Sequence, residues 1–312
     1  MLATSIDKYC YISCRRLPPF FDHRHRIVYS EIENVKSYNE VKHPAVRAIL
    51  NWAQIEDGLE IHHDGDLPAR SGLGSSSSFT VGLIHALQAL KGKMASKEKL
   101  AADAIHIEQN VIGEHVGSQD QISAAYGGFN RIEFHRNGTF DVSPVTIPTH
   151  RRNILGKHFM LFFTGFSRIS SEVAEFKIAN LKDRAEELRR MRGMVDQAID
   201  ILQDQRIAIK EFGDLLDQNW NYKRSLSKFV TTPKIDEIYS RAKRAGAIGG
   251  KLLGAGGGGF MLLFAEPEKQ ASIREQIKDL IRVPFKFDHS GSRVVLYRPN
   301  GLCAQNYGSG DL

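Results

Sequence analysis

Cysteine is scarce in this chain: Cys10, Cys14 and Cys303 are the only three in 312 residues. Three thiols cannot form an even disulfide framework, and none stands at metal-ligand spacing from a histidine, so neither a disulfide scaffold nor a metal-binding cysteine motif is expected. Cys10 and Cys14 share the phase of a strand and read as packing residues. Long apolar runs are also missing. No stretch approaches the roughly 18 residues that a membrane-spanning helix needs, and the N-terminus has neither the basic start nor the apolar stretch of a signal peptide, so a cytoplasmic protein without a membrane partner is expected. Nor does charge of one sign dominate. The formal charge is +6, but the 42 basic residues are spread among 36 acidic ones, which argues against a nucleic-acid partner and is equally explained by a phosphorylated small substrate. The densest basic cluster, Arg189, Arg190 and Arg192, lies within an amphipathic helix pattern and reads as a solvated face. What remains is an ordinary globular composition in a chain long enough for two domains.

Periodicity predicts strands at residues 7–14 and 59–62, a turn-rich break at Asp64-Gly65-Asp66-Leu67-Pro68, and a helix from about Ser76 to Leu90 that is too rich in alanine and leucine for a strand. A helix over 97–111, a glycine-containing loop at 113–118 and a helical turn ending in Tyr126-Gly127-Gly128 follow, then strands at 129–134 and 159–163. Between 151 and 157 the apolar pattern lapses and basic residues gather, which predicts domains over 1–154 and 155–299 and a frayed tail over 300–312. In the second half Leu188, Met191, Val195, Ile199 and Leu202 recur at helical spacing as expected core positions. Ile235, Ile238, Tyr239 and Ala242 mark another helix, ending at Gly246. An apolar strand at 260–264, a charged helix at 268–281 and a last strand at 293–297 complete the chain. The alternation of strands and helices indicates an α+β or α/β fold.

Three segments carry chemistry. The first is Pro68-Ala69-Arg70-Ser71-Gly72-Leu73-Gly74-Ser75-Ser76-Ser77-Ser78, a glycine turn that opens a helix. Glycines let backbone approach an anion, the first N–H groups of a helix have no internal partner, and serine hydroxyls add hydrogen bonds and a possible metal contact. A serine N-cap after a tight turn would need only one serine and one glycine, so phosphate binding is the reading taken. The second segment, Gly254-Ala255-Gly256-Gly257-Gly258-Gly259, satisfies the spacing of a dinucleotide fingerprint. It follows a helix and precedes a strand, however, which is the wrong context. Gly250-Lys251 fails the Walker pattern because Leu252 follows and Ala245 stands where a glycine is required. The run reads instead as a wall without side chains for a phosphate or substrate. The third is Glu108 with Asp120. Transfer of a phosphoryl group needs oxygen ligands for magnesium and a group that orients or deprotonates the attacking hydroxyl. Alone, Glu108 reads as a solvated helix residue and Asp120 as an N-cap; the neighbouring loops favour the chemical reading.

Taken together, these segments resemble the GHMP kinases, in order from about Ala3 to Pro299. Within that family, Gly117-Ser118-Gln119-Asp120-Gln121, Ala125-Tyr126-Gly127-Gly128-Phe129-Asn130, Phe163-Thr164-Gly165 and Ile6-Asp7-Lys8-Tyr9 are similar to the heptose 7-phosphate kinases, which phosphorylate an anomeric hydroxyl. The resemblance implies a two-domain α+β fold, with an N-terminal domain like domain 2 of ribosomal protein S5 and a ferredoxin-like C-terminal domain. It implies ATP and magnesium as cofactors and a sugar phosphate as substrate. Gly72, Leu73, Gly74, Ser75, Ser76 and Ser77 would hold the ATP phosphates, Ser76 and Glu108 the magnesium, and Asp120 would be the catalytic aspartate that orients or deprotonates the sugar hydroxyl. Gly254, Gly256, Gly257 and Gly258 would support the substrate, with Lys8, Arg168 and Arg70 as candidates for its phosphate. Family members of this type open with a strand bearing a basic residue and a Gly-Gly-Gly-Thr-Asp-like turn. This chain opens at what resembles the next strand, so the expected fold lacks that first N-terminal strand and has an unpaired sheet edge.

Overall fold

The computed structural model describes residues 1–55, 57–69, 71–165 and 184–298. The described residues fall into two compact units. A serine-loop unit gathers residues from Lys8–Ala69, Gly74–Gly127 and Ser290–Leu312, and a glycine-run unit gathers those from Met1–Asp7, Arg70–Leu73 and Gly128–His289.

In the serine-loop unit, four strands lie in the order Cys10–Arg16, Leu59–Gly65, His25–Val28, Ile32–Val35. His25–Val28 pairs with Leu59–Gly65 in parallel and the other two pairs are antiparallel. Cys10, Ile12 and Cys14 point to the half-buried side of their strand and Tyr11, Ser13 and Arg15 to the exposed side, as alternation predicted. Burial lifts both thiols to about 12, which keeps them protonated and unreactive at neutral pH. Helix Ser75–Leu90 packs on this strand. Gly82 allows the close fit, since a Cβ there would stand 3.0 Å from Ile12 Cγ1. Helices Lys97–His106 and Gln119–Tyr126 pack against the same helix and each other.

The glycine-run unit is built on an antiparallel sheet in the order Gly249–Leu252, Phe260–Phe264, Phe159–Phe163, Ile281–Arg282. Its two central strands read Phe-Met-Leu-Phe-Phe and Phe-Met-Leu-Leu-Phe, continuous apolar runs that suit strands covered on both faces. Period-two alternation divides them between two cores. Met160, Phe162, Met261 and Leu263 meet Trp220, Ile235, Ile238 and Tyr239, whereas Phe159 and Phe264 meet Phe129, Leu155 and Leu202. Helix Lys210–Ser225 lies flush on strand Gly249–Leu252 because both carry glycine at the crossing: a Cβ on Gly249 would stand 2.0 Å from Gly213 O.

Several expected elements differ. The strand predicted from residue 7 begins at Cys10. The helix expected to run to 111 is α-helical only to His106 and continues as a π-helix over Ile107–Ile112. In helix Ala185–Gln203 the buried stripe is Met194, Ala198, Ile201 and Leu202, while Leu188 is 37% exposed, so the core stripe begins later than the apolar spacing suggested. The charged helix is shorter than predicted, a 3-10 turn at Pro267–Lys269 followed by Gln270–Gln276. Residues 293–297 form no strand: the described segment makes no ladder, and Val295 and Leu296 are 81% and 73% exposed. An alternating sequence becomes a strand only where a neighbour accepts its hydrogen bonds. Among the described residues, no helix is long and apolar enough to cross a membrane.

Candidate active site

In the serine-loop unit a buried polar cluster lies beside the start of helix Ser75–Leu90. Gly74 is the N-cap residue of the helix, in the left-handed region at φ 72°, and as a glycine it has no side chain of its own to cap the helix start. The first-turn N–H groups have no intrahelical acceptors, and together with the positive end of the helix dipole they suit an anion. Ser77 turns inward, 5% exposed, and its Oγ donates to Glu108 Oε2 at 2.9 Å. Gln121, fully buried, donates its Nε2 to the same oxygen. Glu108 is only 1% exposed, and its Oε1 is buried with no hydrogen-bond partner among the described residues. An unsatisfied carboxylate oxygen away from water is costly, and a cation at that oxygen offsets the cost.

The π turn at Ile107–Ile112 carries Glu108 to this position; such widened turns recur at functional sites. Its neighbour Gln109 donates Nε2 to Val116 O at 2.9 Å and to Ser118 Oγ at 3.1 Å, tying down the loop that leads into helix Gln119–Tyr126. Asp120 stands in the first turn of that helix, against Gly74: a Cβ built on Gly74 would be 3.0 Å from Asp120 Cβ and 3.1 Å from its Cγ. Gly74 is therefore required twice, by its φ and by the carboxylate side chain beside it. A potential base, an open helix start and a carboxylate with an unsatisfied oxygen are the parts that phosphoryl transfer uses.

In the glycine-run unit, Ser71 and Gly72 pack backbone to backbone on the run at 254–259. A Cβ on Gly259, φ 104°, would lie 2.1 Å from Ser71 O, and one on Gly254, φ 67°, would lie 2.7 Å from Gly72 Cα. Gly256 abuts the Val230 backbone in the same way, at 2.7 Å. Thr164 holds the far end, giving both its N–H and its Oγ1 to Gly259 O at 2.9 Å. The chain needs glycine at these positions chiefly because two backbones approach closer than a side chain permits. Gly256, Gly257, Gly258 and Gly259 are buried and Gly254 is half-buried.

The structure thus brings Gly74, Ser77, Glu108 and Asp120 together. Ser76 is exposed, and Ser77, one residue on, is the serine that donates to Glu108. Consecutive serines on a helix face different ways, so only part of a serine run can address one carboxylate. Ser75 turns back to Pro68 O at 3.4 Å, and Leu73 is half-buried. Lys8 is half-buried between strands Ser5–Ile6 and Cys10–Arg16. Arg168 and Arg70 lie outside the described residues. Sequence reasoning gave no role to Gln121, although a polar residue beside Ile122 and Ala125 on the inner side of a short helix is a signal that could have found it. Among the described residues, no group of three or more His, Cys, Asp or Glu side chains is arranged to hold a metal by itself.

The family model for the GHMP kinases N terminal domain matches residues 39–128, and that for the GHMP kinases C terminal region matches residues 198–282. The chain is 32% identical over 235 residues to the D-glycero-alpha-D-manno-heptose 7-phosphate kinase of Campylobacter jejuni, covering 74% of this chain and 68% of that protein. It is 31% identical over 262 residues to the mevalonate kinase of Pyrococcus abyssi, covering 80% of this chain and 71% of that protein. A solved D-glycero-D-manno-heptose 1-phosphate kinase from Bacteroides thetaiotaomicron aligns with a TM-score of 0.70 at 23% identity, covering 93% of this chain and 88% of that one. The Methanococcus jannaschii mevalonate kinase aligns with a TM-score of 0.71 at 21% identity, covering 92% and 90%. These two structures speak for the fold, which is the expected two-domain α+β GHMP kinase architecture. With both family regions matched in order and a relative at 32% identity, the chain belongs to the GHMP kinases, a family of ATP-dependent enzymes.

Proposed function

We propose that the chain transfers the γ-phosphoryl group of ATP to the anomeric hydroxyl of D-glycero-D-manno-heptose 7-phosphate, giving the 1,7-bisphosphate. The observation that carries the kinase chemistry is the Ser77–Glu108–Gln121 cluster beside a helix start whose N-cap is glycine, with Asp120 against Gly74. The acceptor is supported by the 32% identity to the Campylobacter jejuni heptose phosphate kinase. Gly72, Gly74 and the first N–H groups of the helix bind the phosphates. Asp120 takes the proton of the sugar hydroxyl as its oxygen bonds to the γ-phosphorus and the bond to the β–γ bridging oxygen breaks, releasing ADP.

The Glu108 carboxylate fits magnesium, since its buried Oε1 lacks a hydrogen-bond partner among the described residues. Magnesium typically binds one or two carboxylates together with substrate phosphates rather than a full protein cage, and when bound it neutralises charge on the phosphates. Glu108, with Ser76 as the exposed hydroxyl on the helix start, would hold it, while Ser77 and Gln121 fix the other Glu108 oxygen. Glu108→Gln is expected to raise the magnesium concentration for half-maximal rate at least tenfold. A magnesium titration of the variant checks this, and an unchanged midpoint removes Glu108 from the site.

The acceptor is tested by single-turnover assays with heptose 7-phosphate, other sugars and mevalonate, with coupled detection of ADP. Heptose 7-phosphate is expected to give the highest kcat/KM. Transfer to mevalonate alone would move the reading to a mevalonate kinase, which the 31% identity to the Pyrococcus abyssi enzyme makes the second candidate.

A further inference from the structure

Lys223 is a buried cation that acts on backbone. It lies in the last turn of helix Lys210–Ser225, 7% exposed, and its Nζ donates to Leu252 O at 2.8 Å and to Gly254 O at 2.7 Å. The ammonium also stands 6.0 Å from the ring centroid of Trp220, which is fully buried. Burying a lysine is unfavourable unless its donors find partners, and here two of them fall on carbonyls either side of Leu253, where the glycine run begins. The helix bearing Lys223 packs closely on the sheet. Gly213 and Gly249 hold it flush against strand Gly249–Leu252, and a Cβ on Gly213 would lie 2.5 Å from Phe264 Cδ1. At the other end of the contact, Gly254 rests on Gly72, where a Cβ would stand 3.3 Å from Leu253 O. A continuous path thus runs inside the glycine-run unit from a fixed helix, through Lys223 Nζ and the Gly254 carbonyl, to the Gly72 backbone.

We infer that Lys223 is a positioning residue for ATP: it fixes the Gly254 backbone and, through it, the Gly72 backbone. This rests on the proposed reading of the loop from Gly72 to Ser78 as the phosphate loop. Glycine has the widest choice of backbone conformations, so a run of glycines keeps one shape only if its ends are held. Thr164 holds the Gly259 end and Lys223 the Gly254 end. A neutral apolar side chain at 223 would leave two carbonyls without this donor and loosen the Gly254 end of the run under Gly72, while the Gly257 N–H still donates to Val230 O.

The test compares the full chain with Lys223→Met and Lys223→Arg. It reads the dissociation constant of a fluorescent ATP analogue, kcat and KM for ATP, the amide resonance of Gly72, and the thermal midpoint. Lys223→Met is expected to weaken analogue binding and raise the KM for ATP at least tenfold, to change kcat less, and to shift the Gly72 amide. Lys223→Arg, which keeps the charge and donors, is expected to restore part of the affinity. A folded Lys223→Met chain that binds the analogue within twofold of the parent, with the Gly72 amide unmoved, overturns the inference. A parent chain that binds no analogue sinks the phosphate-loop reading instead, and the Gly72 amide then still decides whether Lys223 sets the loop.

Discussion

Asp120→Asn is expected to lower kcat at least a hundredfold while binding of an ATP analogue and the unfolding midpoint stay near those of the parent. The two side chains have the same shape, so the fit of Asp120 against Gly74, where a Cβ would lie 3.0 Å away, is preserved. The amide cannot accept the proton that the acceptor hydroxyl must lose, and a positioned base contributes roughly 10²–10⁴ in rate. Coupled ADP release under saturating ATP measures the loss. If the variant turns over within threefold of the parent, Asp120 does not carry the proton.

A large structural effect is expected from Gly259→Ala. The new methyl would stand 2.1 Å from Ser71 O, a backbone atom that cannot swing aside, at a residue whose φ is 104°. Strain at such a φ costs of order 1–3 kcal/mol and overpacking adds about 1–3 more. Relief would have to come from moving Ser71 and Gly72 off the run, so ATP affinity should fall with stability. Gly138→Ala supplies the control: its φ is 85° and nothing lies within 4 Å of the added atom, so only the backbone strain remains. Thermal unfolding of the two variants, with analogue binding, separates the terms. Equal losses in both would mean that close approach to Ser71 does not matter.

What could be read in advance follows physical lines. Strands Phe159–Phe163 and Phe260–Phe264 were legible to the residue because short apolar runs bounded by loops leave few alternatives. Helix Ser75–Leu90 was legible to within one residue, its start marked by the glycine turn. The π turn under Glu108 was not, because nothing in Ile107-Glu108-Gln109-Asn110 distinguishes a widened turn from an ordinary one until tertiary packing selects it. The four serines point to phosphate chemistry as a group, but which of them turns inward to Glu108, here Ser77, depends on helix phase. Lys223 was illegible for another reason. Its partners are carbonyls, which every residue possesses, so no pattern of side chains announces the contact. The glycine run stands out by composition alone, whereas its close approach to Ser71, Gly72 and Val230 is a property of three segments far apart in the sequence.

On the proposed phosphate reading, the glycine at the N-cap, Gly74, would make the protein's heat tolerance depend on its cargo. An N-cap side chain contributes about 1 kcal/mol, and on that reading a nucleotide phosphate would take its place. A ligand that binds only the folded chain adds about 2.7 kcal/mol at a hundred times its dissociation constant. Chain stripped of nucleotide during purification should therefore melt earlier and be clipped by proteases sooner than chain stored with ATP. Its melting temperature becomes a gauge of occupancy, and a shelf life measured without nucleotide understates the lifetime of the protein in a cell rich in ATP.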